Sequence, residues 1–526
     1  MALAEEPRDM SAAVIDQEWH FRPRNVVARS LADVVAQLSG ARIEGDDSVL
    51  LTGVSLDSRT ILPGDLYAAV PGAHAHGAQF IRAALDRGAR AVITDEEGLA
   101  LAHDLDVNTI VVTDVRSQLG VVGGVLYGTI DHHPPLFGVT GTNGKTTTTL
   151  MIASLLRALG VSTGTIGTIG ITVGDEHVPS TMTTPEAPQL HGLIARMMAN
   201  EVGAAVMEVS SHSMVFERTA GLRFAVAGFT NLSPDHLDLH GTMDAYFEAK
   251  KALFEPEHTE RAVIVIDDEW GARLSREAGV EAVTLSTDGA RNGDWHVLDV
   301  VPVGGGHSFT LAHRDGRSLP AVVGIAGRFN VSNAALALAM VIEAGYDLQA
   351  VAAAVESDAR PLSQTVEGRM EIVSTSPTVY VDFAHNPGGL ISVLEAVQTA
   401  AGRVILVFGA AGERDAIKRA SMGEIAAQHS DIAIVTDDDP HAEDAASIRA
   451  QVLEGAHAER RDGGEVLEIF PRADAIAAAV AMAAPDDIVV IAGRGHETVQ
   501  DVAGELIDID DREEVRKAVA RKKAGS

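Results

Sequence analysis

Phe137-Gly-Val-Thr-Gly-Thr-Asn-Gly-Lys-Thr-Thr147 decides the reading of this chain. Leu136 to Thr140 reads as a short buried strand and Gly141 to Gly144 as a tight loop. Lys145 opens an apolar-periodic helix that closes at Gly160. A strand, a glycine loop and a helix N-terminus make an anion site, because backbone N–H groups point at phosphate oxygens and the helix dipole favours negative charge. Gly141, Thr142, Asn143, Gly144 and Thr147 then line a phosphate cradle. Lys145 would neutralise the terminal phosphates, and the Thr146 hydroxyl is placed to ligate Mg²⁺. The strict spacing wants glycine where this chain has Val139, so the match is to a variant loop.

A length of 526 residues predicts about three domains. The 46% hydrophobic content is ample for packed cores, and no window holds the ~18 uninterrupted apolar residues of a membrane span. Residues 1–29 are polar at the start, carry Glu5, Glu6, Asp9 and Asp16, and read as a disordered extension rather than a secretory signal. With no cysteine there is no disulfide framework and no thiolate chemistry, which suits the cytoplasm. A net charge of -33 argues against nucleic acid and anionic membranes as partners. An anionic ligand must therefore be held by a local cluster of Lys, Arg, helix N-termini and metal.

The predicted architecture is α/β in three domains. Residues 30–134 form a small α/β domain, with Pro134-Pro135 punctuating the chain at its end. Residues 135–360 alternate strands and helices, the signature of a mostly parallel sheet around the phosphate loop. Residues 361–526 repeat the pattern as a doubly wound, Rossmann-like domain. Ligands in such sheets sit beyond the carboxyl ends of the strands.

Several residues at those ends could carry chemistry. Glu208 ends the run Ala204-Ala-Val-Met-Glu208, where a phosphate-loop protein holds Mg²⁺; a solvated strand end is the alternative. His236, after a strand, reads by itself more readily as a hydrogen-bonded structural residue. Lys250 lies on an amphipathic helix where lysines are usually solvated. Gly409 to Asp415, Asp437 to His441 and Ala492 to Glu497 follow strands of the last domain. Each is either an ordinary turn or part of a polar substrate site.

In order, Asp57-Ser-Arg59, Gly141-Thr-Asn-Gly-Lys-Thr146, Thr183-Thr-Pro-Glu186, Glu208-Val-Ser-Ser-His212 and Asp235-His-Leu-Asp238 resemble the Mur ligase family. So do Ala249-Lys250, Gly327 to Asn333, Gly368-Arg-Met-Glu371, Asp382-Phe-Ala-His385 and Gly495-His-Glu497. The resemblance runs from about residue 50 to 515 and is nearest the MurE type, the diamino-acid-adding ligases of peptidoglycan precursor synthesis. It implies an N-terminal UDP-binding domain, a central ATPase and a mobile C-terminal domain for the amino acid.

The resemblance also implies roles. Ser58 would touch the UDP group; Thr183, Thr184, Ser210 and Arg218 would hold UDP-N-acetylmuramoyl-L-Ala-D-Glu. Glu208, His236 and Lys250 would serve a second Mg²⁺, Lys250 as a carbamate, with Lys145 acting on the phosphates. Asn333 and Arg369 would contact ATP, with Asp382 near the ribose. His385, Arg414, Asp438, Asp439, His441, Gly493 and Glu497 would face substrate, Arg414 and Glu497 at the α-carboxylate and amine.

Some positions depart from the family pattern: Val265 for an adenine-side Asn, Glu367 for Pro and Arg494 for Lys. At Asp438-Asp-Pro-His441 the arginine that grips the distal carboxylate of meso-diaminopimelate is replaced by histidine. Asp439 adds negative charge there. The expected amino acid is therefore L-lysine, with ornithine, diaminobutyrate or meso-diaminopimelate as alternatives. The expected enzyme is a monomer. Rival readings are a nucleotide sensor without ligase chemistry, which should have lost catalytic residues, and a simple kinase, which would not need Gly495-His-Glu497.

Overall fold

The computed structural model of the chain describes residues 21–72, 75–130, 132–179, 182–357, 360–398 and 402–525. Three α/β sheets succeed one another along it. The first has five strands in the order Arg42–Glu44, Asn108–Val111, Ala91–Thr94, Asp65–Ala68, Gly53–Ser55, all parallel except the first. Most of the extension expected over 1–29 lies outside the described residues, but its end is ordered. Phe21 and Arg22 are buried, Phe21 in the core of the next domain and Arg22 paired with Asp65 at 2.7 Å.

Helix Val115–Tyr127 of the first domain packs on helix Ala187–Ala199 of the second. The two are pinned by His191, which is fully buried. Its Nε2 donates to Ala220 O at 3.0 Å, and its Nδ1 faces the Thr129 hydroxyl at 2.7 Å. Burial holds this imidazole down at a pKa of about 4.

The second sheet has eleven strands. Its centre is parallel: Thr163–Gly167, Ala204–Glu208, Leu136–Thr140, Val226–Phe229, Ala262–Val265, Ala282–Ser286. Buried Val, Ile, Phe and Ala on both faces make the central strands continuous apolar runs, as a doubly covered sheet requires. Helices Lys145–Ala158 and Arg328–Glu343 pack together on one face. The alternation expected up to 360 stops earlier: Trp295–Val303, Gly306–His313 and Ser318–Val323 form an antiparallel meander. Its turns are made by Gly304 and Gly305 (φ 57° and 88°) and by Gly316 (φ 97°), conformations that cost glycine least.

The third sheet runs Glu371–Thr375, Thr378–Asp382, Ile488–Ala492, Val404–Phe408, Ile432–Val435, Glu465–Glu468, parallel but for its first strand. A hairpin, Val499–Val502 with Glu505–Asp508, follows it, and helix Asp511–Gly525 ends the described chain. Arg472 and Asp511, both fully buried, close a 2.6 Å ion pair. No helix among the described residues is long and apolar enough to cross a membrane.

Candidate active site

Because Leu136–Thr140 lies between Ala204–Glu208 and Val226–Phe229 in parallel register, three strand ends converge at one edge. The loop after it needs its glycines. Gly141 (φ 145°) and Gly144 (φ 91°) lie in backbone regions that favour glycine, and an added Cβ would collide with Thr230 Oγ1 and Asn333 Oδ1 respectively. Asn231 braces the loop: its carbonyl accepts from Thr142 N–H at 2.9 Å and its Oδ1 from Asn143 N–H at 3.1 Å. Lys145 Nζ curls back to donate to Gly141 O and Thr142 O at 3.0 and 2.9 Å, and burial lowers its pKa.

Glu208 is the acidic centre. Its Oε2 accepts from the Thr146 hydroxyl at 3.0 Å and the Thr168 hydroxyl at 3.2 Å, and its Oε1 from Thr168 N–H at 2.8 Å. A buried carboxylate beside the first hydroxyl of the phosphate-loop helix is an all-oxygen donor set of the kind Mg²⁺ takes. Arg369 reaches the same place, Nη2 donating to Thr146 Oγ1 at 3.4 Å with its guanidinium 4.1 Å over the Phe383 ring. Its Nη1 is buried without a hydrogen-bond partner, an N–H suited to a phosphate oxygen. Asn333 sits against Gly144 and takes the Thr148 hydroxyl at 3.4 Å. Asp382 is committed to the backbone: its two oxygens accept Met370 N–H (2.7 Å) and Ala384 N–H (2.8 Å), so it clamps that turn.

Lys250 overturns the expectation of a solvated helix face. It is 1% exposed, its Nζ donates to Gly141 O at 2.8 Å, and burial with Lys145 nearby drives its pKa well down. A lysine whose pKa burial lowers gives up its proton more readily than a solvated one. His236 has a left-handed backbone (φ 53°) and stands edge-on to His212, ring centres 4.8 Å apart; burial lowers its pKa to about 3. Asp235, beside it, is 3% exposed. Burial would raise its pKa, but His385 (3.7 Å), Lys418 (3.3 Å), His236 (3.8 Å) and an Asn386 hydrogen bond hold it well below the usual range.

Around Glu208, Thr184 Oγ1 donates to Glu208 O at 2.9 Å and Thr183 Oγ1 meets Thr168 Oγ1 at 3.1 Å. Ser210 Oγ caps the short helix Ser211–Val215, accepting Ser213 N–H at 3.1 Å. Arg218 reaches Thr184 O at 3.2 Å and pairs with Glu186 at 3.0 Å.

On the facing domain, Asp438, Asp439 and Glu497 bring carboxylate oxygens within 4.8 Å of one another. Burial and the Asp438 charge push the Glu497 pKa up to about 8. The charge expected of Asp439 is offset: Arg494, fully buried, pairs with it at 2.6 Å and stands 3.8 Å from Glu497. His441 (φ 49°) is stitched to the hairpin, its N–H donating to Asp501 O at 3.0 Å and its Nδ1 3.1 Å from Asp501 Oδ2. Glu367 lies outside the pocket, paired with Arg512 at 3.1 Å.

Most of these groups line one cleft of about 1230 Å³ between the second and third domains; Gly141, Lys250 and Arg494 are not part of its lining. The chain matches the Mur ligase middle domain over residues 139–341, the Mur ligase glutamate ligase domain over 368–495 and the Mur ligase catalytic domain over 50–122. It is 43% identical over 505 residues to a UDP-N-acetylmuramyl-tripeptide synthetase of Leifsonia xyli subsp. xyli, covering 95% of this chain and 97% of that one. It is 41% identical over 505 residues to a UDP-N-acetylmuramoyl-L-alanyl-D-glutamate–2,6-diaminopimelate ligase of Streptomyces coelicolor, covering 95% and 98%. This chain belongs to the Mur ligase family. A solved structure of a UDP-N-acetylmuramoyl-L-alanyl-D-glutamate–2,6-diaminopimelate ligase superposes with TM-score 0.63 at 31% identity, covering 94% of this chain and all of that one.

The Mur ligase cleft gathers most residues singled out in the sequence. Loop residues Thr142 to Thr147 line it, as do Thr183, Thr184, Glu208, Ser210, Arg218, His236, Asn333, Arg369, Asp382 and His385. Arg414, Asp438, Asp439, His441, Gly493 and Glu497 line its other wall. Val265 lines it too, at the position read as adenine-side. Ser58 does not; it stands in the first domain, after strand Gly53–Ser55. Sequence reasoning passed over Asn231, Asn386, Lys418 and the role of Asp235. The Asp235-His236 pair was visible as a motif, but Lys418 and Asn386 carry no local signal.

Proposed function

We propose that this ATP-dependent Mur ligase joins a diamino acid to the D-glutamate of UDP-N-acetylmuramoyl-L-Ala-D-Glu. The observation that carries the reading is the facing of two walls across one cleft: phosphate loop, Glu208 and Arg369 opposite the carboxylates Asp438, Asp439 and Glu497. In this reading residues 30–134 bind the UDP group, 135–360 bind ATP, and 361–526 bind the amino acid, within a cytoplasmic monomer.

ATP lies on the loop with Lys145, Asn333 and Arg369 on its phosphates. Thr146 and Glu208 would hold one Mg²⁺. Glu208, His236 and a carbamate formed on the Lys250 amine would hold a second; the buried oxygen set of Thr146 and Glu208 fits such a cation. Bound Mg²⁺ offsets charge on the transferring phosphoryl group. Thr183, Thr184, Ser210 and Arg218 present the substrate's free carboxylate. One carboxylate oxygen bonds to the γ-phosphorus as the bond to ADP breaks, giving an acyl phosphate. The amine of the incoming amino acid, having lost a proton, bonds to that carbonyl carbon, and phosphate leaves. Lys145 and the unpaired Arg369 N–H counter charge gathered on the phosphoryl oxygens. A closed cleft keeps water from the acyl phosphate.

The amino-acid wall carries Asp438, Asp439 and Glu497 with Arg414, backed by the buried Arg494, and has His441, bonded to Asp501, where an arginine would stand. That acidic excess favours a diamine with one carboxylate, L-lysine first, then ornithine or diaminobutyrate. Arg494, which neutralises Asp439, and the diaminopimelate ligase of Streptomyces coelicolor among the relatives favour meso-diaminopimelate as the second reading. Phosphate release with ATP, Mg²⁺ and UDP-N-acetylmuramoyl-L-Ala-D-Glu, adding each amino acid singly, separates them. Stimulation by lysine and not by meso-diaminopimelate supports the first, and the reverse supports the second. No stimulation by any amino acid overturns the ligase reading.

A further inference from the structure

The third domain grips the phosphate loop of the second through Asn386. Asn386 caps helix Pro387–Val397, its Oδ1 accepting Gly389 N–H at 2.8 Å. It also exchanges hydrogen bonds with Asn143 in the loop: Asn143 Nδ2 to Asn386 Oδ1 at 3.2 Å and Asn386 Nδ2 to Asn143 Oδ1 at 3.1 Å. The same Nδ2 donates to Asp235 Oδ2 at 3.0 Å. Lys418, the first residue of helix Lys418–His429, donates its Nζ to Asp235 Oδ1 at 3.3 Å. Lys418 is 9% and Asp235 3% exposed, so the pair is dry.

A buried ion pair between two domains adds little net attraction, because both charges are rehydrated when the domains part. Its contribution is to orientation, since a misplaced approach would leave Asp235 buried without its cation. The loop's own shape does not depend on Lys418: Asn231, within the second domain, braces it.

We propose that Lys418 is a positioning residue that, through Asp235 and the Asn386–Asn143 pair, docks the third domain on the phosphate loop in the orientation amide formation needs. The inference rests on the ligase reading for its turnover, while docking is read separately. The chain has no cysteine, so Glu257→Cys and Asp462→Cys, both exposed, give a labelled pair for interdomain distance.

In that background Lys418→Met and Lys418→Arg are compared with the parent in three measurements: the distance distribution, ATP affinity by calorimetry, and amino-acid-dependent phosphate release. Removing one partner of a buried pair is expected to spread the distances in Lys418→Met and cut turnover at least about tenfold. ATP affinity should stay within about twofold, as a brace within the second domain implies, and Lys418→Arg should recover much of both losses. An unchanged distance distribution in Lys418→Met overturns the proposal. So does a parallel fall in ATP affinity, which would make Lys418 a phosphate ligand. If the parent releases no phosphate with any amino acid, the ligase reading fails, and the distances alone still decide the docking role.

Discussion

Arg494 places its Nη1 2.6 Å from Asp439 Oδ1 in a pocket where the arginine is fully buried and the aspartate is 19% exposed. The guanidinium also lies 4.0 Å from Asp438 and 3.8 Å from Glu497, so one cation holds three carboxylates together. Without it, the acidic wall would repel itself.

Arg494→Met is accordingly expected to cost about 3–5 kcal/mol, the usual penalty for orphaning a buried charge. Denaturant unfolding of the variant should show the loss, with Arg494→Lys recovering much of it. A loss below about 1 kcal/mol would place the pair among surface-like bridges.

Gly144→Ala tests the phosphate loop. The backbone at φ 91° strains any L side chain, and the added methyl meets Asn333 Oδ1. ATP affinity should fall at least about tenfold in calorimetry with Mg²⁺, about 1.4 kcal/mol or more. Unaltered affinity would mean that the loop rearranges to bind.

Glu497 gives a pH signature. Its folded pKa, raised to about 8, lies above the ordinary carboxyl value of 4.5, so between those values the folded state holds a proton that the unfolded chain releases. Its contribution to stability is full below about 4.5 and is lost as pH rises through about 8. Glu497→Gln should therefore flatten the decline in Tm on the alkaline side. Binding of an ammonium by the carboxylate should strengthen in the wild type over the same rise, seen as a falling amino-acid KM. A KM independent of pH from 6 to 9 would count against Glu497 as the amine's partner.

His191 has the opposite sign. Its folded pKa of about 4 lies below the ordinary imidazole value of 6.5, so stability is full above about 6.5 and is lost as pH falls towards 4. Its neutral ring must donate from Nε2 to Ala220 O and accept at Nδ1 from the Thr129 hydroxyl. His191→Met should lower stability at neutral pH by about 1–3 kcal/mol through the stranded hydroxyl and carbonyl. It should also lose a share of the acid-side decline that the parent shows. Superimposable pH–Tm curves would remove His191 from the account.

Much of the cleft was legible because it is local in sequence. A strand, a glycine turn and a helix start within Leu136 to Lys145 write the phosphate loop in consecutive residues, and Glu208 stands at its strand tip. The order of motifs was enough for the family and for the three-domain α/β architecture. The antiparallel meander from Trp295 to Val323 was missed because a run of residues shows that a strand forms, while its direction is set by the partner it pairs with.

Residue order alone carried the chemistry available: a phosphate cradle, a carboxylate at a strand end, acidic and glycine-rich turns late in the chain. Tertiary structure alone decided the charge states and partners. Lys250 reads as an ordinary helix lysine until packing places its Nζ against Gly141 O, 109 residues away, out of water. Asp439 reads as free negative charge until Arg494, 55 residues on, closes over it. Burial and pairing depend on neighbours brought together by folding, and a pKa or an ion pair is a property of that neighbourhood rather than of a residue type.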